Sequence, residues 1–215
     1  MPSILTTATL TCKDPQARQQ VISAFKNIIA YTAPHEPEVL QYVCALLESD
    51  ATDTKIYMIE EYANQAASDA HMGTQPVKDL IQLFSTSDVL VEPPEVHNST
   101  VLVRKTINPV TTSAVSDSRV LVLELSALDA GTSARSPEDV DAVVEKVRSK
   151  VQGLRSLVVA EDQATKSIRI ECALEGGGAL MSFPELVLDD EARPVHAVKI
   201  IPKHGFLSRA RKSKL

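Results

Sequence analysis

The chain has 215 residues, 44% of them hydrophobic and 23% charged, with a formal net charge of −6. That length holds one large domain or two of roughly 100 residues, and an acidic chain argues against an extended nucleic-acid surface. The exception is the end of the chain, where Lys203, Arg209, Arg211, Lys212 and Lys214 stand without an acid among them. No apolar run approaches the roughly 20 residues needed to cross a bilayer, and the N-terminus lacks the charged-then-apolar pattern of a secretory leader. Cys12, Cys44 and Cys172 have no metal-ligand spacing and read as buried thiols in a reducing compartment. The expectation is a soluble protein that binds neither nucleic acid nor membrane.

In chain order, residues 4–12 are β-branched and half apolar, which predicts a strand. Asp14 and Pro15 supply a cap and a first-turn proline. Val21, Ile22, Phe25, Ile28, Ile29 and Thr32 recur at helical spacing, so a helix is expected over 14–32, ended by Pro34 and Pro37. Val39–Leu47 and Lys55–Tyr62 read as two strands joined by the polar turn of residues 48–53. Asn64 caps a helix through Met72, Gly73 breaks it, and Pro76 restarts it toward Phe84. A fourth strand is expected within 89–104, interrupted at Pro93 and Pro94. The order β-α-β-β-α-β predicts a four-stranded antiparallel sheet with two helices on one face.

The pattern then restarts. Residues 105–118 have linker chemistry, and Arg119–Leu125 predicts a strand. Ser136-Pro137-Glu138-Asp139 is a capping box opening a helix with Val140, Val143, Val144, Val147 and Val151 on one face. Leu154–Glu161, Lys166–Leu174 and Val195–Pro202 are the remaining strands. Gly176-Gly177-Gly178 and Pro184 leave room for at most a short helix before the last strand, and the triplet lacks the pattern of a phosphate loop or a dinucleotide fingerprint. A sheet with helices on one face must cover its other face with a second sheet. The expected fold class is therefore α+β, with two ferredoxin-like βαββαβ units in tandem forming an intramolecular pseudo-dimeric α/β barrel, the second unit degenerate. The expected domains are 1–104, a linker over 105–118, a second unit over 119–203 and a basic tail over 204–215.

Ser213-Lys214-Leu215 matches the tripeptide read by the peroxisomal import receptor, which acts only with a free C-terminal carboxylate. The expectation is a peroxisomal protein with that receptor as a partner, and otherwise a cytoplasmic one.

A more specific pattern lies between residues 36 and 71. Glu36-Pro37 forms a turn, Tyr42 follows, and then come Glu60, Tyr62 and Asn64, the small pair Ala66-Ala67, and His71. With these residues in this order, residues 4–104 resemble the antibiotic-biosynthesis-monooxygenase-like (ABM) domain of the dimeric α/β-barrel superfamily. Glu38-Val39 replaces the family's Gly-Cys, and Tyr62 stands where Trp is common. The chain has no Trp, so the Trp-dependent sites of haem-degrading and anthrone-oxidising relatives have no counterpart. Residues 119–202 lack the pattern, which leaves one site per chain.

The resemblance implies a cofactor-independent monooxygenase acting on a small apolar or phenolic substrate, with no cofactor and no metal. His71 would be the catalytic base, since an imidazole suits proton abstraction near neutral pH. Glu60, the second catalytic candidate, shares its strand face with Ile56 and Met58. An acid there must be paired, hydrogen-bonded or protonated, so it could orient His71 or act as a base itself. Tyr42 and Tyr62 would bind substrate, Tyr57 reads as packing, and Asn64 as a helix cap. His35 and His97 fall in Pro-rich segments and read as solvated; His196 and His204 carry no motif. Two further classes stay open on the same fold: a non-catalytic small-molecule-binding or assembly protein, and an isomerase or lyase using the same base. So does further pairing into a homodimer.

Overall fold

The structure, a computed structural model, describes residues 2–106 except 49, 51 and 53, together with residues 118–125, 141, 144, 145, 147–149, 151, 153–174 and 194–207. Its elements run β1 (Ile4–Thr11), α1 (Pro15–His35), β2 (Val39–Leu47), β3 (Lys55–Tyr62), α2 (Gln65–Met72), α3 (Gln75–Thr86), β4 (Glu95–Thr106), β5 (Arg119–Leu125), β6 (Leu154–Asp162), β7 (Ile168–Leu174) and β8 (Pro194–Phe206). The strands close a barrel in the order β1-β3-β2-β8-β5-β7-β6-β4. Each half has the ferredoxin-like order, β4-β1-β3-β2 and β8-β5-β7-β6, and the halves meet at the β2–β8 and β4–β6 seams.

The two halves correspond in register. Tyr62 faces Ile4 and Val39, with an irregularity before Gln41; Leu174 faces Arg119 and Leu154, with an irregularity before Ser156. By this register the row Thr6–Glu60–Tyr42 corresponds to Leu121–Cys172–Leu157. The second row is wholly apolar and sits in a buried core with Val144, Val147 and Val151. Degeneracy of the second unit is therefore chemical: the strands keep their register while the polar residues are replaced by packing.

Strand alternation sorts side chains into three cores. Ile4, Ala8, Leu10, Ile56, Met58 and Tyr62 face α1, α2 and α3, and the second unit has its own helix-side core. Leu5, Val43, Tyr57, Ile59, Val120, Val122, Val158 and Ile200 fill the barrel interior. That interior is not purely apolar. Gln41 Nε2 donates to Glu171 Oε1 across it at 2.5 Å, Arg104 pairs with Glu61, and Arg169 with Glu124 at 3.0 Å. Burial pushes the Glu171 carboxyl above its ordinary value, partly offset by the Arg104 charge and the Gln41 hydrogen bond.

Four sequence expectations need adjustment. α1 runs through Pro34 to His35, because a proline in the last turn removes a single backbone bond without breaking those around it. β4 starts after Pro94 instead of straddling Pro93-Pro94, and runs two residues into the segment read as linker. β8 continues past Pro202 to Phe206, since it must pair with β2 as far as Tyr42 to close the barrel. Finally, His97 is not simply solvated: it sits within β4 with Nδ1 3.1 Å from Asp162, whereas His35 is exposed and stacks on Tyr31.

Cys12, Cys44 and Cys172 are free and buried, and burial pushes the Cys12 and Cys44 thiols up to about 11 and about 12. Among the described residues no helix is long and apolar enough to cross a membrane. The capping box at 136–139, the glycine triplet, most of the 105–118 linker and Ser213-Lys214-Leu215 lie outside the described residues.

Candidate active site

The site is assembled by two helix ends over one strand face. Asn64 has extended backbone, and its side chain accepts from the Ala67 N–H at 2.9 Å, which starts α2 in register with β3. Gly73 caps the helix after eight residues, so His71 falls in its last turn, 1% exposed. The persistence of α1 past Pro34 brings in a residue whose only expected place was the turn. Glu36 is the C-cap of α1, and its N–H donates to Thr32 O at 3.0 Å. Its carboxylate accepts the Thr32 hydroxyl at 2.6 Å and lies 3.0 Å from His71 Nδ1.

The sheet supplies the other side of the ring. Glu60 and Tyr62 on β3 and Tyr42 on β2 point to the helices, and the Tyr62 and Tyr42 hydroxyls both donate to the Glu60 carboxyl. Glu60 Oε1 stands 4.0 Å from His71 Nε2, beyond hydrogen-bond reach, while the imidazole lies 5.5 Å centre to centre from each tyrosine ring. Thus the hydrogen bond that fixes the imidazole is accepted by Glu36, and Glu60 faces the far nitrogen. A carboxylate only accepts hydrogen bonds. While Glu36 is ionised, the hydrogen of a neutral ring therefore sits on Nδ1, and Nε2 is the basic atom.

A cavity of about 240 Å³ opens against this cluster, with Thr6, Tyr42, Glu60 and His71 as its polar lining and Phe25, Ile28, Leu80 and Phe84 among its apolar walls. Met72, Ile81 and Val96 line it too and are 50, 47 and 51% exposed, so they mark its mouth. Tyr62 is not part of the wall: it reaches the cavity only through the carboxyl it holds. Tyr57, on the opposite face of β3, belongs to the barrel interior. Among the described residues no three His, Cys, Asp or Glu side chains gather as a metal site would.

Burial raises the Glu60 carboxyl above its ordinary 4.5, with the His71 ring and the two phenol donors offsetting part of that rise. Burial and the Glu60 charge also push the Tyr42 and Tyr62 phenols upward, so both stay protonated donors. A carboxyl whose folded pKa exceeds its unfolded one contributes most stability below the unfolded value, and that contribution is lost as pH rises through the folded one. Glu60→Gln is accordingly expected to raise the melting temperature at neutral pH, with the advantage fading below about pH 4.5. Thermal unfolding of both proteins across the acid range checks this; a variant less stable at neutral pH and equal in acid would show that ionised Glu60 supports the fold.

The chain forms an α/β barrel of two ferredoxin-like sheets, and the described residues hold an acid–base cluster under the helices of the first unit. Residues 4–83 match the model of the antibiotic biosynthesis monooxygenase family. Three solved structures share the whole fold. A candidate monooxygenase of Lactobacillus acidophilus NCFM aligns with a TM-score of 0.72 at 12% identity, over 98% of this chain and 100% of its own. One from Fusobacterium nucleatum subsp. nucleatum gives 0.72 at 14%, over 100% and 99%. An anthrone oxidase-like protein gives 0.61 at 9%, over 100% and 97%. At such identities the likeness shows the fold alone. No curated protein matches the chain.

Proposed function

We propose that the chain is a cofactor-independent monooxygenase acting on a small, neutral, apolar or phenolic substrate that carries an acidic C–H. The observation that carries this reading is the pair of buried residues His71 and Glu60 at the polar end of an apolar cavity, with Glu36 behind the ring. At about 240 Å³ the cavity is below the roughly 300–1,000 Å³ usual for drug-sized ligands, which favours a compact ring system. His71 Nε2 removes the proton, and the C–H electron pair stays on the substrate as a delocalised anion. Tyr42, its hydroxyl donated to Glu60, supplies an aromatic wall against which the substrate ring packs, and the apolar walls exclude water. Dioxygen is the oxidant. An activated methylene becomes a ketone with loss of two hydrogens, one oxygen atom ending in the carbonyl and the other in water, so the substrate supplies all four electrons.

Oxygen uptake by metal-free, flavin-free protein, with anthrone and smaller phenols as probes, tests the reading; uptake matched by ketone formation supports it. A second reading rests on Glu60, because a carboxyl with a raised pKa beside a basic ring is also what an isomerase needs, one group removing a proton and the other returning it. Anaerobic exchange of substrate hydrogen for solvent deuterium, without oxygen uptake, would favour that reading. Neither activity with any probe would favour a binding protein.

For localisation, we propose that Ser213-Lys214-Leu215 directs the protein to peroxisomes where Leu215 carries the free carboxylate. An N-terminal fluorescent fusion is expected in peroxisomes and its three-residue deletion in the cytosol; equal distribution of the two would refute the proposal.

A further inference from the structure

We infer that Glu36 is a positioning residue for His71: it fixes the Nδ1–H tautomer of the ring and so presents the Nε2 lone pair to the cavity. The inference rests on the proposed role of His71 as a base. The motif places Glu36 in a turn, yet the structure gives it a different task. Both of its carboxylate oxygens approach Nδ1, at 3.0 and 3.2 Å, and one of them also takes the Thr32 hydroxyl at 2.6 Å. The backbone at the same residue is held by the bond from its N–H to Thr32 O. A carboxylate tethered at main chain and side chain is a rigid acceptor, and a rigid acceptor selects one tautomer.

The geometry on the other side of the ring makes that choice matter. Nε2 is the nitrogen facing Glu60, which lines the cavity together with the ring, and it can take a proton only if its own hydrogen is absent. When it does, the substrate C–H bond breaks, its electron pair stays on the substrate, and the Nε2 lone pair forms the new N–H bond. The ring becomes an imidazolium with Glu36 on one side and Glu60 on the other, a cation flanked by two acids. No proton need pass to Glu36 itself. Its side chain is 13% exposed against 1% for His71, so its charge is more cheaply kept than a second fully buried one.

Imidazole-labelled protein reports the tautomer directly through its ¹⁵N shifts, with no substrate present. In its neutral form, wild-type His71 is expected to carry its hydrogen on Nδ1. Glu36→Ala is expected to move it to the Nε2–H form that free histidine prefers, while Glu60→Gln leaves it as Nδ1–H. A wild-type ring already in the Nε2–H form would overturn the inference without any variant, and so would a Glu36→Ala protein that keeps Nδ1–H. In a turnover assay Glu36→Ala should lower kcat by about a hundredfold with little change in KM, the scale of a misplaced reacting group. The spectroscopic result stands whether or not oxygen is consumed, so failure of the tautomer assignment and failure of the oxygenase reading are separate outcomes.

Discussion

Replacing His71 with alanine is expected to lower turnover by about two to four orders of magnitude, the usual contribution of a positioned general base. No other side chain can take over easily. Glu60 lines the same cavity, but its carboxyl is already occupied by the Tyr42 and Tyr62 hydroxyls and its pKa is raised by burial. The fold should survive, because the helix carrying His71 is held independently by the Asn64 cap and by Ala67 in the core. Loss of the ring removes packing between two tyrosines and leaves Glu36 without one partner, so a modest drop in stability accompanies the loss of activity. Circular dichroism would confirm folding, and initial rates with a probe substrate would measure the effect. A rate within tenfold of wild type in a folded variant would remove His71 from the mechanism.

The largest expected effect on stability is at a residue with no side chain. Gly205 has φ +114 and lies opposite Val43 in the β2–β8 seam. A Cβ there would stand 1.9 Å from the Tyr42 carbonyl oxygen, which no rotamer change relieves because the obstacle is backbone. Gly205→Ala combines left-handed backbone strain with forced separation of two strands, about 2–6 kcal/mol in all. That is comparable to the whole stability of a marginal domain. The corresponding position in the first unit is Arg104, which bears a side chain directed into the barrel. Glycine is thus demanded by the closeness of Tyr42 and not by the fold in general. Because Tyr42 also holds Glu60, any variant that folds should bind substrate poorly as well. Chemical denaturation would measure the change, and a value within 0.5 kcal/mol of wild type, the scatter of an ordinary surface substitution, would contradict the account of the seam.

How far the sequence could be read depended on the range of the interaction. Strands such as Val39–Leu47 and Lys55–Tyr62 were visible in their β-branched and apolar residues, and the caps Asp14 and Asn64 in their positions before periodic segments. Period-two alternation separates Tyr57 from Glu60 and Tyr62, which are seen on opposite faces of β3. Contacts between distant segments left weaker signs. Glu36 and His71 are 35 residues apart, and their meeting depends on α1 continuing through a proline that normally advertises a helix end. Glu61, Glu171 and Arg169 point into the barrel, where a rule of apolar interiors would not send them; they are tolerated because strands from both halves supply partners. His97 was obscured by Pro93-Pro94, which looks like a loop but only delays the start of β4. Gly205 is a lone glycine near a basic tail, and only the barrel closure gives it meaning.

Isotope incorporation would show whether this cluster performs oxygenation without a cofactor. Wild-type protein, shown by elemental and absorbance analysis to be free of metal and flavin, would be turned over with anthrone under ¹⁸O₂ beside the His71→Ala variant. The expected product is a ketone carrying one ¹⁸O atom from dioxygen, formed far faster by the wild type than by the variant. A product without the label, or labelling that proceeds equally in the two proteins, would contradict it.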